Sequence, residues 1–158
     1  MAEPKKRISE QALTVWKIYG IISTVLAWLV LAGLGVFGYY QEWPFWVAAP
    51  LIILGLLTAF LFIYLMPKLR WKRWRYEVRE QEIELQHGVF IIRRTLIPMI
   101  RVQHVDTEQG PILKRYGLSE IKISTAATVH EIPAVEMAEA EEMRQVISAL
   151  ARMAAEDV

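Results

Sequence analysis

The sequence contains no cysteine. Disulfides, thiolate metal sites and a cysteine nucleophile are therefore excluded. Charge is missing from a long early stretch: between Ile18 and Pro67 the one formally charged residue is Glu42. No Walker loop, dinucleotide fingerprint or zinc motif occurs, and Ser119, Ser124 and Thr125 have no base at a recognisable spacing. A net charge of +1 gives no whole-chain attraction for nucleic acid. What the 158 residues do contain is 54% apolar side chains, concentrated in the first half.

Two uncharged runs, Ile18 to Tyr40 and Phe45 to Pro67, each exceed the ~20 residues that a helix needs to cross a hydrocarbon core. In lipid a single pass must be helical, because only a helix satisfies its own backbone. The link Gln41-Glu42-Trp43-Pro44 is long enough only for a tight antiparallel turn. Tyr39, Tyr40, Trp43 and Trp46 gather there, as aromatic rings do at headgroup level. The first run is too long for a cleaved leader and is followed by a second, so it reads as an uncleaved hairpin. Lys5, Lys6, Arg7 and Lys17 precede the hairpin and a basic stretch follows it, which places both termini in the cytoplasm. Ala32, Gly33, Gly35 and Gly38, with Gly55 and Ala59, are the candidate small-residue contacts between helices. Pro50 is expected to kink the second span. No Asp, Glu, Lys, Arg or His lies within either run, which argues against an ion path or proton relay.

The chain turns at Lys68-Leu-Arg-Trp-Lys-Arg-Trp-Arg75. Lys68, Arg70, Trp71, Lys72, Arg73, Trp74 and Arg75 are the candidate membrane-interface residues, serving as topology signal and aromatic anchor. Anionic lipid headgroups are a possible partner, at about 1 kcal/mol per basic residue near the surface. Position beside a membrane run decides against nucleic acid, although interleaved bases and aromatics resemble such sites. Arg93, Arg94, Arg101, Lys114 and Arg115 would extend the same field if they converge on the membrane side.

From Tyr76 the pattern acquires period two. Ile83 and Leu85 alternate with Glu82, Glu84 and Gln86, a half-buried strand. His87-Gly88 reads as a turn and Val89 to Ile97 as the second strand of a hairpin, with Phe90, Ile91 and Ile92 a possible exposed edge. Pro98 ends that run. Ile100 to Thr107 is a further strand with a bulge or twist near Gln103, because Val105 falls out of phase with Ile100 and Val102. Ile112 to Tyr116 reads as one helical turn. Leu118 to Thr125 and Val129 to Pro133 are two more strands. From Ala134 a helix carries the stripe Met143, Val146, Ile147, Leu150 and Met153 or Ala154. Strands followed by one terminal amphipathic helix is the element order of a pleckstrin-homology-like barrel.

His104, Asp106 and Glu108 alternate and so share a strand face, which suits metal ligation or acid–base chemistry. A wet sheet face is the plainer account of them, since a metal site would need a further ligand that the sequence does not supply. His130 and Glu131 are neighbours and point to opposite faces.

The quoted order of motifs carries a resemblance. A two-run hairpin is followed by Arg75-Tyr-Glu-Val78, Ile83-Glu-Leu-Gln-His-Gly88, Thr95-Leu-Ile-Pro98 and Ile100-Arg-Val-Gln-His-Val105. Gly110-Pro-Ile-Leu-Lys-Arg-Tyr-Gly117, Ile121-Lys-Ile-Ser-Thr125 and His130-Glu-Ile-Pro133 complete the series. Over nearly its whole length the chain resembles the YdbS-like bacterial membrane proteins with a bacterial pleckstrin-homology domain. The resemblance implies that fold, a bacterial cytoplasmic membrane location and a tendency to oligomerise or to pair with a longer protein carrying repeats of the domain. It implies no catalytic residue, no cofactor and no phosphoinositide specificity.

The expected organisation is a basic N-terminus (1–17), a transmembrane helical hairpin (18–67, with spans 18–40 and 45–67), a juxtamembrane segment (68–75) and a cytoplasmic α+β domain (76–158). The domain is an antiparallel barrel or sheet capped by a helix. The expected function is a non-enzymatic membrane scaffold, with an anionic-lipid or small-ligand sensor as the alternative and an enzyme built on His104, Asp106 and Glu108 as a third.

Overall fold

The computed structural model describes residues 4–156. They divide into two compact units, a helical one (Trp16–Leu69) and one made from both ends of the chain, through Val15 and from Arg70 onward.

The helical unit is built from α1 (Gln11–Tyr40), α2 (Ala48–Ala59) and the start of α3 (Met66–Arg73). A 3₁₀ turn (Phe45–Val47) leads into α2, and a π-helical segment (Phe60–Leu65) joins α2 to α3. Two continuous helices result, Gln11–Tyr40 and Phe45–Arg73, each long and apolar enough to cross a membrane. Both run past the uncharged stretches that define them in the sequence. The turn after α1 is a Schellman cap: Trp43 N–H bonds the Gly38 carbonyl at 2.9 Å and Glu42 N–H the Tyr39 carbonyl at 3.2 Å. Glu42 holds the left-handed position of that cap, at φ 56°.

Pro50 does not mark the irregularity of the second helix. It is the third residue of α2, in the first turn, where a missing N–H costs little. The irregular turn is the π segment just before Pro67, whose ring and missing N–H disturb the ladder from inside. The small-residue contacts include the expected Gly55 but otherwise differ from the expected set. A side chain at Gly20 would collide with the Phe62 carbonyl, and one at Gly55 with the Trp28 ring at 2.7 Å. Gly33 and Gly35 face open space. Gly20 and Gly55 therefore set the approach of the two helices.

The second unit is two antiparallel sheets closed by a helix. One sheet has the order β1 (Lys6–Arg7), β2 (Arg75–Val78), β3 (Glu82–His87), β4 (Arg93–Pro98). The other has β5 (Val102–Glu108), β6 (Leu118–Thr125) and β7 (Val129–Glu136). A 3₁₀ turn (Met99–Arg101) carries the chain between sheets, and α4 (Pro111–Arg115) between β5 and β6. Among the described residues the sheets do not pair edge to edge into a closed barrel. The register of β5 on β6 slips between Val102 and His104, placing the bulge at Gln103 where the phase change predicts it.

Three strand expectations need correction. Residues 88–92 form a loop, so β4 begins only at Arg93. Gly88 adopts φ 126°, and a Cβ there would strike the Ile91 carbonyl, so the loop folds back sharply on its first residue. β3 is buried on both faces, Ile83 and Leu85 on one, Glu84 and Gln86 on the other. Arg79 makes the burial of Glu84 tolerable: its Nη2 reaches Glu84 at 3.1 Å and Glu77 at 2.9 Å, and its Nη1 reaches Glu82 at 3.0 Å. β1 is an addition that the hydrophobic pattern does not announce. Lys6 pairs with Tyr76 and Arg7 with Arg75, and beyond them Ile8, Ala12 and Val15 are buried. The expected basic N-terminus thus contributes a strand to the domain.

The terminal helix α5 (Met137–Glu156) follows the predicted stripe in part. Ala140, Met143 and Ile147 are buried and join Ile83, Leu85, Met99, Ile121, Ile123 and Ile132 in one core. Val146 and Met153 lie exposed at the margin.

Candidate membrane-interface site

The basic-aromatic stretch divides its residues between two tasks. Trp74 is 4% exposed and stacks on His87 with ring centroids 5.7 Å apart and planes 20° from parallel. Its ring is part of the domain interior, not an aromatic anchor in lipid. Trp71 donates its indole N–H to the Ser9 carbonyl at 3.2 Å, and the Arg7 guanidinium sits 5.7 Å from its ring centroid. Arg73 donates to the Val89 carbonyl at 2.5 Å, and Arg75 lies in β2 opposite Gln86 and Arg7. Lys68 lies 5.5 Å from the Tyr64 ring centroid, on the helical unit. Lys72 and Arg70 are exposed. The stretch therefore knits the N-terminal segment, the end of α3 and the β3–β4 loop together while keeping part of its charge in solvent.

Near this junction is His87. Burial, with Arg93, Arg70 and His130 nearby, holds its imidazole below the ordinary value of 6.5. Between the folded and unfolded pKa values the unfolded chain binds the extra proton, so stability is complete above pH 6.5 and lost as pH falls below it. Urea unfolding from pH 7.5 down to 5 should show a shallower loss of stability in His87→Gln than in the parent. Parallel curves would remove His87 as a cause.

Glu120 shows the opposite sign. Burial and a hydrogen bond with Glu131 raise its carboxyl above 4.5, so its contribution fades as pH rises through that window. It is present in both proteins and cancels in their comparison.

His104, Asp106 and Glu108 do share an exposed face of β5, opposite Ser124, Lys122 and Glu120. Lys122 occupies Glu108 at 2.7 Å and approaches Glu131 at 3.9 Å. Among the described residues no group of three or more His, Asp and Glu side chains is placed to hold a metal ion.

A feature that sequence reasoning missed is the junction of β1, β2 and α5. The Tyr76 hydroxyl donates to Glu139 at 3.1 Å, and Lys6 Nζ meets the same carboxylate oxygen at 3.0 Å. Burial and that carboxylate raise the phenol well above its ordinary value, so it stays a donor. A cavity of about 370 Å³ opens there, bordered by Lys5, Lys6, Tyr76, Glu139 and Met143. The signal available beforehand was the pairing of a basic N-terminus with an acidic start to α5.

Two apolar helices, paired antiparallel sheets, a closing amphipathic helix and cations crowded where helix gives way to sheet define a membrane protein with a pleckstrin-homology-like domain. The chain belongs to the bacterial PH domain family, whose model matches residues 12–151. It is 48% identical over 156 residues to the transmembrane protein YdbS of Bacillus subtilis, covering 99% of this chain and 98% of that one. It is also 26% identical over 93 residues to the transmembrane protein YdbT of the same organism, covering 55% of this chain and 19% of that longer one. No solved structure matches the chain.

Proposed function

We propose that this chain is a non-enzymatic scaffold of the bacterial cytoplasmic membrane that pairs with itself or with a related PH-domain membrane protein. The observation that carries the reading is the outer edge of β4. Among the described residues β4 ends its sheet and has a strand neighbour on one side only, with Leu96 exposed on it and Ile100 exposed just beyond it. An edge with apolar flanks offers backbone donors and acceptors to a strand from another chain. The partial match to a longer relative is the kind of likeness that a paired system of homologous domains would leave.

A two-crossing hairpin with both termini in the cytoplasm belongs to the same reading. It is supported by the clustering of residues up to Val15 with those from Arg70 in one folded unit, since both ends of the helical segment then leave the membrane on one side. The basic flanks favour the cytoplasmic side.

The test is extraction of the full chain from native membranes in mild detergent, followed by mass and composition analysis at low and high salt. A discrete salt-resistant complex, lost in Leu96→Glu/Ile100→Glu, is expected. A monomer carrying only lipid would refute the pairing and favour the alternative of anionic-lipid sensing, to which the exposed Lys72, Arg93 and Arg94 are suited.

A further inference from the structure

The β3–β4 loop exposes what a soluble loop ordinarily hides. Phe90 is 83% exposed, Ile91 75% and Ile92 51%, and the next two residues, Arg93 and Arg94, are exposed cations. Loops are ordinarily polar, so three consecutive large apolar side chains at a tip call for an occupant. Three such side chains offer a few hundred Å² at most, well under the ~800 Å² per partner of a stable protein interface. A tip of apolar residues backed by arginines has instead the two-zone chemistry of a bilayer surface, rings and aliphatic chains inward and cations at phosphate level.

The loop's attachment favours the same occupant. The carbonyl of Val89, its second residue, accepts a hydrogen bond from the Arg73 guanidinium, and its base is fixed by the Trp74–His87 stack. Arg73 ends the helix that carries the chain out of the second apolar run. Even an extended chain from Pro67 to Arg73 spans only ~20 Å, so the loop is leashed to the membrane surface.

We propose that Phe90, Ile91 and Ile92 are a second membrane contact, entering the headgroup–acyl boundary of an anionic bilayer while Arg93 and Arg94 pair with lipid phosphates. The contact fixes how the domain faces the membrane, which the helices alone leave to a short junction. It goes beyond the pairing reading and does not depend on it.

The absence of cysteine makes the test clean. The full chain carrying Ile91→Cys is labelled with an environment-sensitive fluorophore and reconstituted into phosphatidylcholine vesicles with and without phosphatidylglycerol. All substituted positions are exposed, so the fold is left intact. Blue-shifted emission, quenched by shallow spin-labelled lipids and enhanced by phosphatidylglycerol, is the expected result, with quenching lost in Arg93→Glu/Arg94→Glu. Water-like emission would overturn the proposal. So would a blue shift without lipid quenching, which would put the tip inside a protein interface. Quenching indifferent to the charge reversal would overturn the phosphate pairing.

Discussion

Gly20→Ala is expected to destabilise the helical unit by about 2 kcal/mol, at the middle of the range for overpacked sites. The added methyl would meet the Phe62 backbone carbonyl, and backbone cannot swing aside as a side chain can. One helix must retreat from the other, and the Trp28 ring would lose its seat over Gly55. Gly33→Ala is the matched comparison in the same helix. Its Cβ would enter open space, and alanine is the better helix former, so stability should hold or rise by up to roughly 1 kcal/mol. Thermal unfolding in detergent, followed through the six tryptophans, reads both. Equal effects at the two glycines would refute the close approach at Gly20. A loss at Gly33 would show a partner helix resting there.

Trp74→Ala should cost the sheet domain about 3–5 kcal/mol, the range for emptying a buried large aromatic site. The ring is almost fully buried, and its removal also strips the stacking face from His87. Trp71→Phe should cost about 1 kcal/mol, since it deletes one hydrogen bond to the Ser9 carbonyl and keeps most of the ring. Denaturant unfolding of the full chain, monitored by near-ultraviolet circular dichroism, separates the two. An interfacial lipid anchor at Trp74 would give the reverse ranking, with domain stability unchanged and membrane affinity reduced.

That contrast shows where the sequence is readable. Position beside an apolar run makes any tryptophan look interfacial, and composition does not reveal that the chain becomes a strand one residue after Trp74. Alternation in Leu118 to Thr125 fixes β6 to its observed ends because one face is continuously buried. The Gln103 bulge is legible for the same reason: one extra residue in a strand moves every later side chain to the opposite face, and a buried face records that shift. The loop at residues 88–92 is misread because Val, Phe and Ile have strand composition whether or not they are paired. What breaks the strand is the fold-back at Gly88, visible only once the Ile91 carbonyl is seen against it. β1 is illegible because two basic residues carry no periodicity and their partners are distant in the chain. Gly20 is passed over because glycine spacing shows which residues are small and not which face another backbone.

The pairing of Lys6 and Arg7 with β2 has a consequence for biogenesis. The first strand and the apolar residues Ile8, Ala12 and Val15 leave the ribosome long before Arg75 and Tyr76 exist to receive them. They must wait, unpaired, while both long helices are synthesised. A chain whose first helix threaded its N-terminus across the bilayer would strand these residues on the wrong side, leaving the sheet short by one edge. On the proposed topology, completion of the domain becomes a checkpoint on insertion: the native sheet would form only when the chain had gone out and come back.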